Sequence, residues 1–160
     1  MQITKFSDYA LRILIHLAVA RDKRLSTREI AEMQGLSFNH LAKISQWLAA
    51  EGYVAATRGR GGGMRLAKAP AEISIGALLR KSERGSPLVE CMRMDGGRCV
   101  LTPACGLLPV LSEAQEAFFQ SLDGRSLEDV ITGHRRMIPL VESLQPERIS
   151  PEHRNPESAA

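Results

Sequence analysis

Cysteine is scarce in this chain, and the little there is comes as an odd number: Cys91, Cys99 and Cys105. An odd set cannot close a disulfide framework within one chain, which excludes the stapled secreted class and directs attention to a metal or redox centre. Long hydrophobic runs are missing as well. Although 44% of the residues are apolar, no stretch of about eighteen is free of charge, so no membrane-spanning helix is expected. The N-terminus carries neither a basic run nor a small-residue cleavage site, and the expected location is the cytoplasm, with no membrane partner. The phosphate-cradling pattern Gly-x-x-x-x-Gly-Lys-Ser/Thr is absent. So is any paired nucleophile and base, and the expectation is a protein that is not an enzyme. At 160 residues the chain suffices for one domain, or for a small head with an accessory region.

What is present is unevenly charged. The net charge of +3 conceals a basic front: residues 1–70 hold 11 Lys and Arg against 5 Asp and Glu, whereas residues 71–160 hold 10 against 13. A head at +6 and a back at −3 suggest that the head meets a polyanion while the back serves another purpose.

Helical periodicity begins at about residue 5 and runs to about 20, with Phe6, Leu14 and Leu17 among its apolar positions and Thr4 or Ser7 as its cap. Ser26-Thr27-Arg28-Glu29 is a capping box that opens a second helix. Gly35 breaks it, and Ser37 opens a third, with Leu41, Ile44 and Leu48 on one face. At about 100° per residue the opposite face carries Asn39, Ala42, Lys43 and Gln46. A helix, a glycine turn and a second helix with a polar outer face is the arrangement that enters the major groove of double-stranded DNA. Asn and Gln suit adenine edges, and Lys43 suits guanine or phosphate. Ser37 and His40 are read as DNA-facing with them.

After Glu51-Gly52, two short strands flank Arg58-Gly59-Arg60-Gly61-Gly62-Gly63. This is a wing whose Arg58 and Arg60 suit a narrow, electronegative minor groove. The expected fold class is therefore mainly α with a small β-wing: a winged helix-turn-helix head over 1–70 and a long dimerisation helix behind it. A plain helical hairpin is the competing reading of the helix pair.

Residues 71–132 are expected to hold a short helix at Ile73 to Glu83, a Gly- and Pro-rich loop with Cys91 and Cys99, and a helix from Gly106 to about Leu122. That last helix carries Leu107, Leu111, Ala114, Phe118 and Leu122 on one stripe, suited to a partner subunit or to its own domain. Gly124 caps it, and Ser126 to Asp129 opens a brief turn. Residues 133–160 are expected to form a C-terminal tail, mostly disordered after 145. For the cysteines, zinc, iron-sulfur and inert buried thiols stay open, with iron-sulfur ahead: seven and five intervening residues do not make paired zinc knuckles, and Cys105 starts a helix whose dipole favours an anion. His16 reads as a packing or surface residue and Trp47 as core.

The opening Met1-Gln2-Ile3-Thr4-Lys5-Phe6-Ser7-Asp8-Tyr9-Ala10-Leu11-Arg12, the helix pair, the wing and the Cys91, Cys99, Cys105 spacing before a helix together resemble the NsrR family of nitric-oxide-sensing repressors. That family belongs to a larger group of winged-helix iron-sulfur regulators that includes IscR. The likeness extends over about residues 1–145. It implies a homodimer on a palindromic operator, with one iron-sulfur cluster per subunit held by Cys91, Cys99 and Cys105. It implies 4Fe-4S in preference to 2Fe-2S. It also implies a fourth ligand, Asp8 from the partner subunit, a residue that by itself reads as a first-turn carboxylate favouring the helix dipole. IscR-type proteins use a histidine three residues after the last cysteine, where this chain has Leu108. The resemblance further implies release of DNA on reaction with nitric oxide and derepression of detoxification genes. The alternatives are an iron-sulfur or thiol-based regulator of cluster assembly or cysteine metabolism and, further off, an electron-transfer or redox enzyme.

Overall fold

The computed structural model describes residues 2–57, 59, 62–133 and 136–144. Helix α1, Lys5–Ala20, is the element on which the others converge. The Thr4 hydroxyl accepts from the Ser7 amide at 3.3 Å and starts it. Ala10, Ile13, Leu14 and Leu17 then lie fully buried along one face, the i, i+3, i+4, i+7 spacing of an amphipathic helix. Each of the larger three contributes about 1.5–3 kcal/mol of burial free energy.

The head follows. Helix α2 is Thr27–Gln34 and helix α3 is Phe38–Ala50. The capping box forms in full: the Ser26 hydroxyl accepts from the Glu29 amide at 3.2 Å, and the Glu29 carboxylate accepts from the Ser26 amide at 2.6 Å. Gly35, at φ 61°, turns the chain between the two helices through the left-handed region that side chains disfavour. Strands β1, Val54–Thr57, and β2, Gly63–Leu66, pair antiparallel from Val54 opposite Leu66 to Thr57 opposite Gly63. The Leu25 and Met64 amides and carbonyls exchange bonds of 3.0 and 2.8 Å, tying the wing root to the entry of α2.

Behind the head come α4, Ile75–Ser82, α5, Leu107–Asp123, and α6, Leu127–Thr132. Helices α4 and α5 cross at Gly76, where an added Cβ would lie 2.7 Å from the Asp123 amide nitrogen and 2.8 Å from the Phe119 carbonyl oxygen. Ser126 and Asp129 form a second capping box at α6. Within the region expected to be a tail, Met137–Ser143 forms helix α7, which packs against α1 with Val141 buried. Seven residues with one buried apolar anchor give too little periodicity to be read from sequence; the contact with α1 supplies the stability.

Seven helices and a two-stranded wing among the described residues make the fold mainly α with a small β-wing. One hydrophobic core runs from Ile13 and Leu48 in front to Leu127, Ile131 and Val141 behind. Among the described residues, no helix is long and apolar enough to cross a membrane. The wing-tip Arg58 and Arg60, and the tail expected after 145, lie outside the described residues.

Gly76→Ala is expected to destabilise the protein by about 1–3 kcal/mol, because the α5 backbone, and not the Asp123 carboxylate alone, blocks the new methyl group. Ser26→Ala should cost about 1 kcal/mol through the lost cap. Urea unfolding of both variants checks the two values.

Candidate nucleic-acid interface and cysteine loop

Helix α3 buries Leu41, Ile44 and Leu48 and leaves Asn39, His40, Lys43 and Gln46 exposed, with Ser37 exposed at its N-cap. The Ser37 hydroxyl makes no capping bond, so it stays available. Ala42, expected on the outer face, is half-buried at its edge. Trp47 packs edge-on against Phe6, ring centroids 5.2 Å apart, and braces α3 on α1. The Thr27 hydroxyl donates to the buried Ser45 hydroxyl at 3.3 Å and joins α2 to α3.

Two basic residues belong to this surface although sequence reasoning did not single them out. Arg28 is exposed in the first turn of α2, its guanidinium 5.1 Å from the centroid of the Phe38 ring. Arg24 donates to the Thr57 hydroxyl at the edge of the wing. A signal for Arg28 existed: a cation in the first turn of a helix opposes the helix dipole.

The cysteine loop has more local order than its composition suggests. Cys91 lies in a short helical turn, Glu90–Met92, and Cys105 directly precedes Gly106, the N-cap of α5. All three thiols are free and half-buried. Between Cys91 and Cys99 the chain is held by its own carboxylates. Glu90 accepts from the Arg98 amide at 2.9 Å, and Asp95 accepts from the Gly97 amide at 3.1 Å and from Arg93. Gly97, at φ 63°, passes so close to the Glu90 carbonyl that a Cβ would lie 2.5 Å from its oxygen.

Among the described residues, no three His, Cys, Asp or Glu side chains converge as they would around a single metal ion. The donor chemistry nevertheless fits an iron-sulfur cluster. Three thiols lie on one loop, and α5 begins beside Cys105 without any side-chain cap. Its first amides are therefore free to favour an anionic group.

Asp8 sits in the first turn of α1, paired with Arg12 at 2.8 Å, both side chains 44% exposed. Arg12 also donates to the Gln34 side-chain oxygen at 3.2 Å, and the Gln34 amide nitrogen lies 2.6 Å from His16 Nε2. With its oxygen accepting from Arg12, Gln34 must donate to His16, whose neutral ring then carries its proton on Nδ1. That Nδ1 is buried with no partner. His16 is therefore a packing residue, and burial holds its pKa below the usual 6.5. Asp8 thus connects through Arg12 to the last residue of α2.

The last turn of α4 reaches four places. Arg80 binds Glu116 at 2.6 Å and also Asp123, both on α5. Lys81 binds Glu51 at the end of α3 at 2.6 Å. Ser82 accepts from Ser7 at 2.7 Å, and Glu83 accepts from the Thr4 amide at 3.0 Å and its hydroxyl at 2.8 Å. The cysteine loop departs from this turn.

A winged helix-turn-helix head joined to a cysteine loop and a long helix defines a class of regulator. The family model for Rrf2, described as an iron-dependent transcriptional regulator, matches residues 3–133. The chain belongs to the Rrf2 family. This is a class of DNA-binding transcriptional regulators and not of enzymes. Curated relatives are named HTH-type transcriptional regulator NsrR. The one from Geobacillus kaustophilus is 46% identical over 132 residues, covering 82% of this chain and 90% of the relative. The one from Bacillus subtilis is 42% identical over 142 residues, covering 88% and 97%. The resemblance read from the opening segment, the wing and the cysteine spacing is borne out by them. Among solved structures, CymR, the global cysteine regulator of B. subtilis, superposes with a TM-score of 0.65 at 27% identity, covering 84% of this chain and 98% of that one. T. potens IscR shares the fold, with a TM-score of 0.63 at 24% identity, covering 83% and 88%.

His16 gives a pH dependence of known sign. The unfolded side chain takes up a proton near 6.5 while the folded one resists it. Stability present above that pH is therefore lost as pH falls through the folded pKa. Urea unfolding between pH 8 and 5 should show this loss, and His16→Gln, which does not titrate, should flatten it.

Proposed function

We propose that the chain is one protomer of a homodimeric repressor of palindromic operator DNA, controlled by nitric oxide through an iron-sulfur cluster. Nitric-oxide detoxification genes are the expected targets and the cytoplasm the expected location. Cys91, Cys99 and Cys105 would hold the cluster as thiolates, with Asp8 of the partner subunit as the fourth ligand. When bound, the cluster supplies iron at which nitric oxide reacts, and family resemblance favours 4Fe-4S over 2Fe-2S.

The observation that carries this reading is the run from Asp8 through Arg12 to Gln34. An Asp8 oxygen given to a metal is withdrawn from Arg12. Arg12, which pairs with both Asp8 oxygens and also lies over the Tyr9 ring, would then lean more on Gln34, at the end of the helix that positions the Gly35 turn and α3. A change at Asp8 thereby reaches the reading face without unfolding the core. Ser37, Asn39, His40, Lys43 and Gln46 read bases, while Arg58 and Arg60 of the wing meet flanking minor grooves. Helix α5 carries the dimer. Leu107 and Val110 are 56% and 60% exposed, and Leu111, Phe118 and Leu122 are half-exposed, an apolar surface that a second copy would cover.

A second reading, a thiol-based regulator of cysteine metabolism, draws on the three free thiols and the likeness to CymR. Anaerobic purification followed by absorption and native mass measurement, before and after stoichiometric nitric oxide, separates the two. The first reading expects a dimer with iron and sulfide that loses operator affinity on nitric oxide. A metal-free dimer whose operator affinity responds to thiol oxidation supports the second. Replacing any of the three cysteines by Ala should abolish the cluster chromophore, and a full complement of iron and sulfide in such a variant would remove that residue from the ligand set. Asp8→Ala should keep the chromophore but change its nitric-oxide kinetics. Arg12→Ala should narrow the difference in operator affinity between cluster-loaded and cluster-free protein.

A further inference from the structure

Phe38 is the first residue of α3 and is 43% exposed. It is the one large apolar side chain so exposed among the described residues of the head. The core has no need of it. Leu41, Ile44 and Leu48 form the buried face of α3, and Leu36 and Leu41 hold the positions of a hydrophobic staple at its entry. The ring instead faces the Arg28 guanidinium, 5.1 Å from its centroid. The negative face of an aromatic ring attracts such a cation and restrains an otherwise mobile side chain.

On the helical wheel Phe38 and Ala42 share one strip, next to the strip of Asn39, Lys43 and Gln46. An apolar strip beside an amide-bearing strip has a counterpart in the major groove. The thymine methyl is the apolar feature there, and Phe and Ala are among the side chains that meet it, while Asn and Gln pair with adenine. The first turn of a recognition helix is the part that reaches base edges, and the preceding helix crosses the phosphate backbone.

We infer that Phe38 is a specificity-determining residue that reads a thymine methyl group in each half-site, and that Arg28, braced on its ring, grips the adjacent phosphate. This rests on the reading of the head as a major-groove module. The basic charge of residues 1–70 and the exposed Lys43 on the same helix make DNA, and not a second copy of the chain, the partner of this face. The methyl group is enclosed between Phe38 and Ala42. Arg28 contributes independently of sequence.

The test uses duplexes that the full-length wild-type protein selects from a randomised pool, with each thymine then replaced by uracil to remove only its methyl group. For wild type, at least one replacement per half-site should weaken binding about fourfold, the worth of one buried methyl or methylene group. Phe38→Ala should bind the parent duplex about fourfold more weakly and be indifferent to that replacement. Phe38→Leu keeps an apolar group and should retain the sensitivity. Arg28→Ala should weaken all duplexes alike and lower the salt slope by about one. Both positions are exposed, so thermal unfolding should be unchanged. Equal uracil sensitivity in wild type and Phe38→Ala overturns the methyl contact, as does a Phe38→Ala variant whose only change is in oligomeric state. Failure of wild type to select any duplex overturns the reading of the head itself, a result distinct from these.

Discussion

Helix α1 has to satisfy two bodies at once, and the burial of its one apolar face is the constraint on which the rest depends. Ala10, Ile13, Leu14 and Leu17 are fully buried, and the helix touches α3 and β2 of the head as well as α4, α6 and α7 behind. A helix so shared cannot move without moving both sides. It also carries Asp8 and Arg12 on its outer surface, so the residues proposed to register the cluster stand on the element that joins the two halves. Close-packed interiors transmit such displacements instead of absorbing them.

The last turn of α4 complements that arrangement with polar contacts. Arg80, Lys81, Ser82 and Glu83 are consecutive, yet they hold α5, the end of α3, the body of α1 and the cap of α1 in turn. Successive helix positions point about 100° apart, so four neighbours sweep a full turn and can meet four surroundings. All three ion pairs of this turn are substantially exposed, and surface pairs contribute little stability individually. Their role is directional: they set how the cysteine loop and α5 leave the head. The uncapped start of α5 beside Cys105 places free backbone amides next to a thiol at the far end of that loop.

Much was legible because it is written in near neighbours. The Ser26 and Glu29 capping box, the left-handed Gly35 turn and the buried Leu41, Ile44 and Leu48 stripe all follow from residues three or four apart, and each formed as expected. Helix α7 was not legible, since seven residues with one buried anchor hold no strong period. Phe38 and Arg28 escaped for another reason. Each is ordinary in its own helix, an aromatic at a helix start and an arginine in a capping box, and only their approach across the turn gives them meaning.

By itself the sequence determined the helices other than α7, the polar face of α3, the basic head and the three thiols ahead of α5, because helix periodicity, capping and charge are properties of local order. Tertiary structure alone decided the contacts between distant residues: Arg12 with Gln34 at a separation of 22, Arg80 with Glu116 at 36, and Thr4 with Glu83 at 79. A polar side chain's partner is set by which surfaces the buried faces bring together. That choice is made when α1 packs, not when any helix forms.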